Sequence, residues 1–122
     1  MSRPLYLILA LGWMGVIFYF SSQSGDRVGL PSPWDKFVHA GVYGLLGWLL
    51  GRGSGHPASE GPSAPGWRRY SWGWAIAVAY GLSDEFHQSF VPGRQADALD
   101  LLADSVGAFL GTHLLQKPRQ AR

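Results

Sequence analysis

Apolar and polar positions fall in blocks along this chain rather than alternating residue by residue, and four apolar blocks stand out. The first, residues 4–20, carries no charge over 17 positions, the lower limit for a helix that crosses roughly 30 Å of hydrocarbon. The second, residues 36–51, is rich in glycine and holds one histidine. The third begins at residue 71 and runs without a break into the polar sequence SDEFHQSF, ending near residue 90. The fourth, residues 98–115, contains two aspartates. None of them shows the two-residue alternation of a half-buried strand, and open strands do not survive in lipid. The pattern predicts an all-α chain: one domain spanning residues 1–122, with helices at about 4–20, 36–51, 71–90 and 98–115.

Two other readings compete for the first block. A signal peptide would use Arg3 as its basic start and Ser21, Ser22 and Ser24 as its small residues, but the later apolar blocks favour a retained anchor. A soluble four-helix bundle would bury all four blocks in one core, and the uninterrupted first block argues against it. The expectation is therefore a polytopic membrane protein, with four transmembrane helices in a bundle. Residues 52–70, dense in Gly, Pro, Ser and Ala, read as a flexible linker with no core of its own, and His56 as a solvated loop histidine.

Charge sets the orientation. Ten Lys and Arg against eight Asp and Glu leave a net +2, but the charges are not evenly spread. With four spans, the N-terminus, the linker and the C-terminal tail share one side, and they hold Arg3, Arg52, Arg68, Arg69, Lys117, Arg119 and Arg122 against Glu60 alone, a net +6. The other side holds Arg27, Lys36 and Arg94 against seven acids, a net −4. Positive charge stays inside, so both termini are expected in the cytoplasm, the chain crossing a membrane several times. The basic tail is explained by topology and by anionic lipid, and nucleic-acid binding is not expected. The absence of cysteine removes disulfides, thiol catalysis and thiolate metal sites. Six tryptophans and five tyrosines suit a bilayer interface.

The acids are spaced for a shared inward face. Asp97, Asp100, Asp104, Gly107 and Gly111 follow one another at helical intervals, as do Asp35, His39, Tyr43, Gly47 and Gly51. Gly73, Ala77 and Gly81 lead in the same way to Asp84 and Gln88. Small residues four apart let membrane helices approach closely. Glycines would thus pack the helices on the cytoplasmic side, while carboxylates line a polar pocket that opens outward between helices two, three and four.

These same residues resemble a known family. Asp35-Lys36-x-x-His39-x-x-x-Tyr43, then Ser83-Asp84-Glu85-x-His87-Gln88, then Pro92-x-Arg94-x-x-Asp97-x-x-Asp100 and Asp104-x-x-Gly107-x-x-x-Gly111 are similar in order and spacing to the VanZ-like family of small membrane proteins. The resemblance covers nearly the whole chain, Ser21-Ser22-Gln23 included. It implies a bacterial inner-membrane protein; the founding member is associated with low-level resistance to the glycopeptide teicoplanin.

The polar set supports more than one chemistry. Asp35, Lys36, Asp84, Glu85, Arg94, Asp97, Asp100 and Asp104 sum to −4 with His39 and His87 neutral, an excess that needs protons, a cation or a cationic ligand in a low dielectric. In the binding reading, which is preferred, no cofactor is needed. The pocket holds or shields a surface or lipid-linked envelope component or a glycopeptide, with Arg94 on a phosphate or carboxylate and Trp34, Phe86 and Phe90 on apolar parts. In the enzymatic alternative, a membrane hydrolase of lipid-linked or phosphate-containing substrates, His39, Asp84, His87, Asp100 and Asp104 are the candidate ligands for a divalent metal. A proton-coupled transporter is the weakest reading, because four short spans enclose little. Tyr43 and Gln88 are expected to orient charged groups, Ser83 to be an ordinary helix hydroxyl, and His113 to sit at the cytoplasmic interface. The sequence leaves the oligomeric state open.

Overall fold

The computed structural model describes residues 2–23, 34–54, 66–93 and 98–114. Among them are four α-helices and no strand: α1 (Arg3–Ser21), α2 (Trp34–Ser54), α3 (Gly66–Gln88) and α4 (Ala98–Phe109). The last continues as a π-helical segment, Leu110–Leu114. The chain is all-α, as its block pattern predicts.

Local chemistry accounts for the ends of α1. Ser2 caps it with a side-chain oxygen that accepts from the Leu5 amide at 3.4 Å, and Pro4 sits in the first turn, where no amide is missed. At the other end the Ser22 hydroxyl donates to the Phe18 carbonyl (2.8 Å) and the Gln23 amide to the Tyr19 carbonyl (3.2 Å), which satisfies carbonyls left without helical partners. The linker is shorter than expected over 52–70. Residues 52–54 belong to α2 and residues 66–70 to α3; the remainder, 55–65, lies outside the described residues. Tertiary contact extends α2: the Arg52 guanidinium lies 5.9 Å from the Tyr6 ring centre and 5.7 Å from that of Trp48, and Gly53 packs beneath Leu7.

Successive helices run antiparallel. Tyr6 meets Trp48 edge-on, with ring centres 5.6 Å apart, and the Trp13 indole donates to the Val42 carbonyl at 2.9 Å. The first contact pairs the start of α1 with the later part of α2, and the second pairs the middle of α1 with the middle of α2. Gly73 near the start of α3 packs on Leu50 and Gly51 of α2, and the Trp74 indole reaches the Ser105 carbonyl of α4 at 3.1 Å. It follows that α2 and α4 are parallel, and their contact is the tightest in the fold. A Cβ added at Gly107 would strike the backbone of Ala40, one at Gly111 the carbonyl of Gly44, and one at Gly47 the Ala108 carbonyl at 2.5 Å. The seam expected from small residues is therefore real between α2 and α4, but α2 presents Ala40, Gly44 and Gly47 to it. Gly51 instead faces α3. Beyond Gly107 the helix loosens into the π segment, and the fully buried Thr112 hydroxyl donates to the Ala108 carbonyl at 2.9 Å.

Size and polarity are distributed unusually. The buried apolar set is small: Ala10, Ile17, Tyr43, Leu46, Leu49, Leu50, Ala77 and Ala108. Asp84, Glu85, Gln88, Asp100 and Asp104 are buried with it, while Ile8, Leu11, Phe37, Leu82, Phe86, Leu99 and Leu102 are more than half exposed. By length and composition, one described helix, α1, is long and apolar enough to cross a membrane. The other three fall short of the four spans expected. α2 and α3 have the length, at 21 and 23 residues, but glycines and charged side chains dilute their apolar content. α4 has only 12 residues before its π segment.

Candidate functional site

The polar residues singled out by spacing gather where α1 and α3 end and α2 and α4 begin. This follows from the helix directions, because antiparallel neighbours bring the polar end of each block to the same level. On α2, Lys36 sits in the first turn and reaches sideways: its Nζ stands 3.0 Å from Asp35 Oδ2 and 2.5 Å from Asp100 Oδ1. One turn further, His39 Nδ1 lies 2.8 Å from Asp104 Oδ1, and His39 Nε2 lies 3.9 Å from Asp100 Oδ2. Asp100 and Asp104, four apart on α4, thus face Lys36 and His39, three apart on α2.

A second group forms around Asp84. The Tyr43 hydroxyl donates to Asp84 Oδ2 at 3.2 Å, the Ser21 hydroxyl donates to Asp84 Oδ1, and Gln88 Nε2 donates to Ser21 Oγ at 3.1 Å. Both oxygens of this buried carboxylate accept a hydroxyl proton, so Asp84, expected among the metal candidates, is engaged in a hydrogen-bonded group of its own. His87, half-buried, stacks on Phe18 with ring centres 4.7 Å apart; it stands apart from the α2–α4 group. Asp104, with no solvent exposure at all, lies between the two groups, because its Oδ2 is 3.5 Å from where a Gly81 Cβ would stand, as is the Tyr43 ring. Gly81 leaves room for both.

Glu85 was expected in the pocket but not as a metal ligand. Its carboxylate, the His39 imidazole and the Asp100 carboxylate each offer one ligand atom, and these atoms lie within 4.8 Å of one another. Arg94 and Asp97 lie outside the described residues. The chain does turn before them as expected, with Gly93 at φ 75°, a conformation that glycine adopts without strain. Ser83 donates to the Tyr80 carbonyl at 2.7 Å, an ordinary helix bond. His113, near the opposite end of α4, stacks on Phe109 at 4.5 Å.

Sequence reasoning placed the polar set between helices two, three and four and missed α1. Ser21, only 3% exposed, enters the cluster as the partner of Asp84 and Gln88. The signal was present in Ser21-Ser22-Gln23, a polar patch at the end of an otherwise apolar helix, but serine there also reads as a cap. Tyr80 was missed as well; its hydroxyl donates to the Met14 carbonyl at 2.5 Å and ties α3 to α1.

A family model described as VanZ/LLP1 matches residues 6–116. The chain belongs to the VanZ/LLP1 family. The matched region runs from the first turns of α1 past the π segment, so every side chain of the polar cluster lies within the VanZ/LLP1 part of the chain. No curated protein and no solved structure is significantly similar to it.

Proposed function

We propose that this VanZ/LLP1 protein crosses the bacterial inner membrane four times, with both termini in the cytoplasm. Its polar cluster then faces outward and holds or shields a surface or lipid-linked component of the cell envelope, and glycopeptide susceptibility is the phenotype in which the family name points to look. The observation that carries this reading is the inversion of ordinary burial: large apolar side chains outside, carboxylates, hydroxyls and glycines within. In water such an exterior is a site of aggregation. In lipid it costs nothing, and close packing through small residues replaces the missing hydrophobic drive.

Two further features support it. α1 passes the length and composition test while mostly exposed, unlike the core helix of a soluble protein. Aromatic side chains also stand at both ends of the helices, with Trp34, Phe86 and Phe90 exposed near the cluster and Trp72 and Trp74 exposed at the far end, the distribution of two interfacial belts. The polar cluster speaks for more than a simple anchor, because four described acids of α3 and α4 are buried at one level and each would be costly in lipid without a role. The exposed rings at its edge would take the apolar part of a lipid-linked ligand.

The test is envelope-antibiotic susceptibility, teicoplanin included, in cells carrying Lys36→Ala or Asp100→Asn, with membrane accumulation checked in parallel. Altered susceptibility at normal accumulation is the expected result; unchanged susceptibility in both variants overturns the envelope role. Mass spectrometry of lipids retained by the purified protein would identify the component.

A further inference from the structure

We infer that His39, Glu85 and Asp100 form a binding site for one divalent cation, held between α2, α3 and α4. The inference deepens the reading above, since it rests on the same outward polar cluster, and it supplies the counter-charge that the cluster needs.

The argument begins with donor geometry. Two donors each about 2.1 Å from a metal lie at most about 4.2 Å apart, and the three ligand atoms lie within 4.8 Å of one another. Three donors evenly placed about one ion stand at most about 3.6 Å apart, so a shift of up to about 0.7 Å in each side chain closes the site. The three come from three different helices, so the cation would join elements that the glycine seam alone does not bind together.

The second argument is the support behind the histidine. Asp104 Oδ1 is 2.8 Å from His39 Nδ1, and a carboxylate there accepts the Nδ1 proton. That leaves the lone pair on Nε2, the nitrogen on the Asp100 side. Nε2 and Asp100 Oδ2 face each other at 3.9 Å, too far for a hydrogen bond and suitable for a cation between them. A carboxylate behind a ligating imidazole is the recurrent way in which proteins orient a metal histidine. It also gives a reason for placing a fully buried aspartate at position 104, whose other oxygen has no hydrogen-bond partner among the described residues.

The third argument is charge. Asp35, Asp84, Glu85, Asp100 and Asp104 face Lys36 as the one described lysine of the cluster. Lys36 occupies Asp100 Oδ1 and leaves Oδ2 on the histidine side. One nitrogen and two carboxylate donors, with water completing the shell, suit a first-row divalent ion such as Mn²⁺ or Zn²⁺ better than Cu(I), which prefers sulfur.

The experiment uses the full chain, purified in detergent and titrated with Mn²⁺ under electron paramagnetic resonance. The expected result is one Mn²⁺ per chain, with electron spin-echo modulation from a single imidazole nitrogen. Glu85→Gln and Asp100→Asn should each raise Kd at least about tenfold, and Asp104→Asn about 10–100-fold. Asp84→Asn, whose carboxylate serves Ser21 and Tyr43, should change Kd less than about twofold. No bound Mn²⁺ in the wild type, bound Mn²⁺ without nitrogen modulation, or an equal loss in Asp84→Asn overturns the site. The wild-type nitrogen signal needs no variant to fold. Altered susceptibility in Lys36→Ala and Asp100→Asn without Mn²⁺ binding removes the cation and keeps the envelope role; the reverse pattern removes the envelope role and keeps the cation.

Discussion

Lys36 Nζ lies 2.5 Å from Asp100 Oδ1 and so joins the first turn of α2 to the first turn of α4, two helices that are parallel and separated in sequence by all of α3. The pair is partly shielded, with 24% and 11% of the two side chains exposed. Between charges so placed, removal of one partner leaves the other without compensation. In a double-mutant cycle of Lys36→Ala and Asp100→Asn, a coupling energy of about 1–3 kcal/mol is expected, read from reversible unfolding in detergent. Coupling near zero would mean that Asp35 serves Lys36 equally well alone.

The α2–α4 seam makes a contrast between glycines. Gly107→Ala drives a methyl into the Ala40 backbone and should destabilise by about 1–3 kcal/mol. Gly41→Ala meets nothing within 4 Å and should be neutral or stabilise by up to about 1 kcal/mol through lower chain entropy. Thermal unfolding of the two variants side by side checks the pair.

Around Asp84 the order of effects follows from hydrogen-bond accounting. Tyr43→Phe loses one bond to a charged acceptor and should cost about 1.5–3 kcal/mol. Asp84→Ala strands both the Tyr43 and the Ser21 hydroxyls in a buried place and should cost more than either Tyr43→Phe or Ser21→Ala. An Asp84→Ala variant as stable as Tyr43→Phe would show that water replaces the carboxylate.

The topology can be read without background, since the chain has no cysteine. Ser89→Cys, at an exposed position beyond the end of α3, should react with an impermeant maleimide in intact cells. Glu60→Cys should react only after permeabilisation. Labelling of position 60 from outside would invert the chain and place the polar cluster in the cytoplasm.

His87, read from its spacing as a metal candidate, stacks on Phe18. Replacement His87→Phe should keep that contact, leave Mn²⁺ affinity within about twofold, and change stability by less than about 1 kcal/mol. A larger loss of affinity would return His87 to the ligand set.

Much of the site was legible because helical spacing and membrane cost act locally. Asp100 and Asp104 must share a face whatever α4 packs against, and Lys36 and His39 must share one on α2. The helix type was legible for the same reason, since block hydropathy excludes strands. Helix ends were less so. Nothing near Gly53 reports that Leu7, far away in sequence, will pack on it and carry α2 to Ser54.

By itself the sequence determined that the chain is all-α, that it belongs with VanZ-like proteins, and that Asp84, Asp100 and Asp104 lie on stripes that turn inward. These follow from the periodicity of one helix at a time and the order of motifs. Only the tertiary structure decided which partner each acid meets: Asp84 goes to Ser21 and Tyr43, Asp104 to His39, and Asp100 to Lys36. It also brought α1 into the cluster and set Glu85 beside His39 and Asp100. The physical reason is that a helix fixes which residues share a face, whereas the parallel approach of α2 and α4 through their glycines fixes which faces meet.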